Sequence, residues 1–93
     1  MKRKAALPYI NLRKRKVEKD GFLYTYTLLC TEEITPIFSI AIDLLTPEGD
    51  ATTATLSQPI YDGGRAALLF EILLKNLVTP IDLPYVMEDI LDL

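Results

Sequence analysis

The stretch YDGGRAALLFEILLKNL, residues 61–77, decides the fold, because the hydrophobic period of the chain changes inside it. At about 100° per residue, Ala66, Leu69, Phe70, Leu73, Leu74 and Leu77 form one broad stripe, which is what a helix lying on a sheet needs. Leu68 and Ile72 fall outside that stripe, at about 200° and 240° from Ala66. One sheet cannot cover both sets. Leu68 and Ile72 are therefore the candidate interaction surface, covered either by a second helix of the same chain or by another chain. Glu71 and Lys75, four residues apart in the favourable orientation, mark a strip that stays in water between the two apolar faces.

Upstream of this helix the period is two. VEKDGFLYTYTLL, residues 17–29, places Asp20-Gly21 between extended runs, and that dipeptide supplies the positive φ angles of a hairpin turn. After the turn Phe22, Tyr24, Tyr26, Leu28 and Cys30 share one face of a strand, and the aromatic face is expected inward. Residues 37–45 form a third strand with Phe38, Ile40, Ile42 and Leu44 on one face, and the Thr-rich ATTATLS, residues 51–57, a weaker fourth that ends near Pro59. Downstream, Leu83, Val86, Met87, Ile90 and Leu91 recur at helical spacing in a second, shorter helix. The expected fold is α+β: a four-stranded antiparallel meander followed by two C-terminal helices on one face, ββββαα, in a single domain over residues 1–93 with a flexible basic extension at 1–6.

The two glycines before the first helix raise the prospect of an anion site at its N-terminus, aided by Arg65. Yet DGGRAAL fits neither the phosphate loop nor the dinucleotide fingerprint. Asp62 moreover stands where an N-cap belongs, so a cap and turn are expected instead. The chain has no His and one cysteine, Cys30, which excludes an internal disulfide and a structural zinc site of the usual N/S type in the monomer. Cys30 is in phase with the aromatic face and reads as a buried thiol rather than a nucleophile. Glu32-Glu33 and Glu88-Asp89 are adjacent carboxylates that point apart, so they read as solvated charge. No nucleophile–base pair is evident, so no enzyme, cofactor, metal site or small-molecule substrate is expected.

The C-terminal stretch NLVTPIDLPYVMEDIL, residues 76–91, resembles the end of a family of small uncharacterised bacterial domains of the Firmicutes type. The shared positions are Asn76, Val78, Thr79, Pro80, Leu83, Val86, Glu88, Asp89 and Leu91. The resemblance implies fold and a cytoplasmic setting but no activity. Locally, Thr79 can cap a helix starting at Pro80, Asp82 can complete a capping box, and Val78 can staple onto Leu83. The chain departs from the family at Asp82, where histidine is frequent, and at Pro84, which such a helix tolerates badly. Either a kink at Leu83 or a restart with Asp82 as the cap is expected.

Charge is unevenly placed. Residues 1–20 carry a balance of +6 and the remainder −9, for a net −3. The asymmetry points to an acidic partner for the N-terminus or to pairing of the two ends with each other. Two functions compete: a self-associating protein-interaction domain, a homodimer or one docking another protein, with a regulatory role compatible; or nucleic-acid binding through Arg13, Lys14, Arg15 and Lys16. Strand alternation splits Arg13 and Arg15 from Lys14 and Lys16, which weighs toward the first and toward a charged edge strand that discourages aggregation. No apolar run approaches membrane-span length, and the basic N-terminus lacks the apolar core of a signal peptide, so a cytoplasmic protein with no membrane contact is expected.

Overall fold

Asp20 and Gly21 adopt φ angles of 55° and 85°, the pair of positive values that a two-residue hairpin demands. They join β1 (Tyr9–Lys19) to β2 (Phe22–Thr31), with Lys19 opposite Phe22. A computed structural model describes residues 9–91 of the chain; the expected extension at residues 1–6 lies outside them. β3 (Phe38–Leu45) and β4 (Ala51–Thr55) extend the meander into one antiparallel sheet of order β1-β2-β3-β4, and α1 (Gly63–Lys75) and α2 (Leu83–Leu91) follow. This is the expected ββββαα architecture.

The even-numbered residues of β2 and β3 face the helices. Tyr26, Leu28, Ile40 and Ile42 are buried in one cluster with Ala66, Leu69, Phe70 and Leu73 of α1, Val78 and Leu83, while Val86 and Met87 of α2 pack at its edge. Both helices therefore lie on the same side of the sheet. Burying each large apolar side chain contributes roughly 1.5–3 kcal/mol, so this stripe-on-sheet contact dominates the stability. Cys30 is buried with a free thiol on the same face. A thiol reagent is expected to label Cys30 only as fast as the chain opens, far below the rate for an unfolded peptide; labelling at the peptide rate would contradict the packing.

The expected fourth strand shortens for a physical reason. Leu56 still donates its N–H to the Ile40 carbonyl at 3.2 Å, but Ser57, Gln58 and Pro59 leave the ladder and Ile60 re-enters it, exchanging both backbone bonds with Phe38 at 2.7 and 3.1 Å. Pro59 has no N–H to pair, and the detour brings the apolar Ile60 against the core.

β1 holds a bulge that the sequence pattern conceals. The register shifts between Asn11 and Arg13, so Ile10 lies opposite Cys30 while Arg13, Arg15 and Val17 lie opposite Leu28, Tyr26 and Tyr24. Without the extra residue Leu12, Ile10 and Val17, an odd number apart, could not share the helix-facing side.

The two helices are joined by a turn in which Leu77 adopts φ 51°. Val78 donates to the Leu73 carbonyl and Leu77 to the Leu74 carbonyl, each at 3.1 Å, the paired bonds that close a helix with a left-handed residue, usually glycine. Leucine there costs about 1–2 kcal/mol, offset by its side chain packing on the core. Of the two expectations for α2, the restart holds in position, since α2 begins at Leu83, but no bond to the Asp82 carboxylate occurs among the described hydrogen bonds. Thr79 Oγ1 accepts from the Asp82 N–H at 3.2 Å and caps a single turn, and the Asp82 carbonyl then accepts from Val86 at 3.0 Å to begin α2. Pro84 thus falls in the first helical turn, where its missing N–H has no acceptor to lose. A helix starting at Pro80 does not form, and Asp82 makes no returning bond to Thr79 among the described hydrogen bonds.

Candidate interaction surfaces

The glycine loop is a cap. Asp62 Oδ1 accepts from the N–H of Gly64 at 2.8 Å and of Arg65 at 3.2 Å, occupying the donors an anion would need. Gly63 has its own reason: a Cβ there would stand 3.0 Å from Cζ of Phe38, so the glycine lets the first turn of α1 close onto that ring. Glu32, Glu33, Glu88 and Asp89 are exposed, and no group of three potential metal ligands occurs among the described residues.

The four consecutive cations of β1 divide between the two sides of the sheet. Arg13 and Arg15 face the helices, and Lys14 and Lys16, opposite Thr27 and Thr25, face the open side. Arg13 is engaged: its Nη1 donates to Glu71 Oε2 at 2.7 Å, and its guanidinium carbon lies 5.7 Å from the centre of the Phe70 ring. Glu71 therefore turns to β1 rather than to Lys75, which corrects the expected pairing within the helix. A guanidinium held over an aromatic face presents fixed donors that a flexible lysine on the same helix does not. Both side chains are nearly half exposed, so Glu71→Gln is expected to cost no more than about 1 kcal/mol of unfolding free energy in a denaturant titration. A larger loss would mean that the pair anchors β1 to α1.

Among the described residues, the back of α1 is left uncovered at Leu68. Leu68 is 63% exposed, whereas Ile72, one turn on, is half-buried. α2 thus leaves Leu68 in water, and the two candidate residues differ in their surroundings. Three further large apolar side chains of the helical half, Tyr61, Ile81 and Tyr85, are also exposed. Sequence periodicity missed these because each lies next to a turn or on a short helix, where no stripe defines a wrong side.

A shallow hollow of about 310 Å³ runs between the end of β4 and α2, lined by Ala54, Leu56, Gln58, Pro80, Leu83 and Met87 among others. Its lining mixes apolar side chains with Thr55, Ser57, Gln58 and Glu88, and Glu88 is its one charged residue, so no set of convergent charges marks it for a ligand. No described helix is long and apolar enough to cross a membrane. Comparison with models of known families, with curated proteins and with solved structures finds no match to this chain.

Proposed function

We propose that the protein is a small non-enzymatic interaction domain that self-associates through the back of α1. The observation that carries this reading is Leu68, a large apolar side chain held 63% exposed at the middle of a rigid helix whose other face is fully seated. Ile72 adjoins it one turn away, and Tyr61, Ile81 and Tyr85 add exposed apolar area in the same half of the molecule. Exposed apolar surface of this kind is what association removes from water. Against nucleic acid stand the division of the cations between two faces and the commitment of Arg13 to Glu71, since phosphate contact requires basic groups that converge. A cytoplasmic setting and kinship with the bacterial family resembled at residues 76–91 belong to the same proposal.

The test is Leu68→Glu. Because the side chain is already in water, the variant is expected to unfold within about 0.5 kcal/mol of the parent and to elute as a monomer where the parent elutes as a larger species. A parent and variant of equal size, both folded, would refute association through this face.

A further inference from the structure

β1 is an edge strand of eleven residues, and the hydrogen-bond alternation shows which of its backbone groups are free. Thr31 donates its N–H to the Ile37 carbonyl, and Phe38 exchanges both bonds with Ile60 on its other side. N–H and C=O groups alternate sides along a strand, so the odd-numbered residues of β2 address β3 and the even-numbered ones address β1. The β1 partners of those even residues are Ile10, Arg13, Arg15, Val17 and Lys19. The backbone groups of Lys14, Lys16 and Glu18 consequently point away from the sheet, and all three residues are exposed. Among the described residues nothing pairs with them.

We propose that this edge takes an extended acidic segment of another protein as an antiparallel fifth strand, with carboxylates beside Lys14 and Lys16 on the open side and beside Arg15 on the helical side. Backbone pairing supplies the attraction common to strand addition, and the side chains at each register position select the partner. Side chains directly opposite across an antiparallel pair stand about 4.5–5.5 Å apart, close enough for opposite charges to favour and like charges to oppose the pairing. β1 carries five cations, Arg13, Lys14, Arg15, Lys16 and Lys19, against the single carboxylate Glu18. A second copy joined edge to edge would double that excess positive charge along the seam. An acidic strand would neutralise it. The charge that keeps this edge from pairing with itself thereby defines what it accepts, and this surface is separate from the back of α1.

The probe is a blocked peptide, Thr-Thr-Lys-Val-Glu-Glu-Glu-Thr-Thr, whose antiparallel alignment sets lysine opposite Glu18, valine opposite Val17 and the three glutamates opposite Lys16, Arg15 and Lys14. Titrated into the full chain, it is expected to bind and to slow amide exchange at Lys14, Lys16 and Glu18. N-methylation of its lysine and of its first and third glutamates, whose N–H groups face β1, should weaken binding at least tenfold. Methylation of valine and the middle glutamate should leave it unchanged. Lys14→Glu with Lys16→Glu should abolish binding of the peptide and confer binding of its lysine-for-glutamate counterpart. Three results would overturn the proposal: no binding at millimolar peptide, equal effects of the two methylation patterns, or equally strong protection of the same amides by a DNA duplex, which would assign the strip to polyanions in general.

Discussion

Phe70→Ala is expected to lower the unfolding free energy by about 3–5 kcal/mol, the range for truncating a buried aromatic residue. Phe70 is fully buried in the centre of the α1 stripe, within the cluster that contains Tyr26, Leu28, Ile40 and Ile42 of the sheet. Its ring also carries the Arg13 guanidinium, 5.7 Å from the ring centre, so the variant loses that cation–ring contact together with the packing, while the Arg13–Glu71 pair stays. Small domains are held by about 5–15 kcal/mol in all. The variant should therefore unfold at a much lower urea concentration, with the slope of the transition preserved if the native state keeps its extent. Leu68→Ala on the same helix is expected to have almost no effect, since that side chain lies mostly in water. Losses of similar size at the two positions would mean that α1 is rotated relative to the sheet from the seating described.

Tyr26→Phe is the second. The Tyr26 hydroxyl is buried and donates to the Val78 carbonyl at 2.8 Å, tying β2 to the turn in which Leu77 holds its unfavourable φ. Removing the hydroxyl leaves that carbonyl without its side-chain donor inside the core, which costs about 1–3 kcal/mol. The hydroxyl also makes stability depend on alkaline pH. Burial, and secondarily the neighbouring Tyr24, push its pKa up from 10.0 to about 12. The folded chain thus holds this proton more tightly than the unfolded chain. The stabilisation is complete below pH 10 and is lost as the pH rises through about 12, with a slope of up to about 1.4 kcal/mol per pH unit between them. Denaturation followed at several alkaline pH values should show the parent losing stability faster than Tyr26→Phe. Parallel curves would contradict the burial of this hydroxyl.

The architecture was legible because its signals are local. Asp20-Gly21 states a hairpin, the alternation from Phe22 to Cys30 states which face turns inward, and the change of period after Asp62 states where the sheet ends. The capping role of Asp62 is legible for the same reason, whereas at Pro84 the sequence leaves a kink at Leu83 and a restart at Asp82 equally open. What stayed hidden depends on distant partners. The bulge at Leu12 leaves no composition signal; only the need for Ile10 and Val17 to share a face reveals it. Helical spacing pairs Glu71 with Lys75, yet Arg13, 58 positions away in the chain, takes it because the register running back from the Asp20-Gly21 hairpin sets Arg13 opposite Leu28, on the side of α1. The detour at Ser57–Pro59 likewise answers to Phe38, a residue of another strand. For the candidate surface, periodicity identified Leu68 and Ile72 as the pair outside the stripe. It could not separate the exposed Leu68 from the half-buried Ile72, because both lie off the stripe and the spacing within α1 alone does not say what surrounds each.

Sedimentation equilibrium of the wild-type chain and of Leu68→Glu over a wide range of concentration tests self-association most directly. The wild-type mass is predicted to rise with concentration toward twice 10.5 kDa, while Leu68→Glu stays at the monomer mass with an unchanged fold. A wild-type chain that remains at 10.5 kDa at the highest concentration would contradict it.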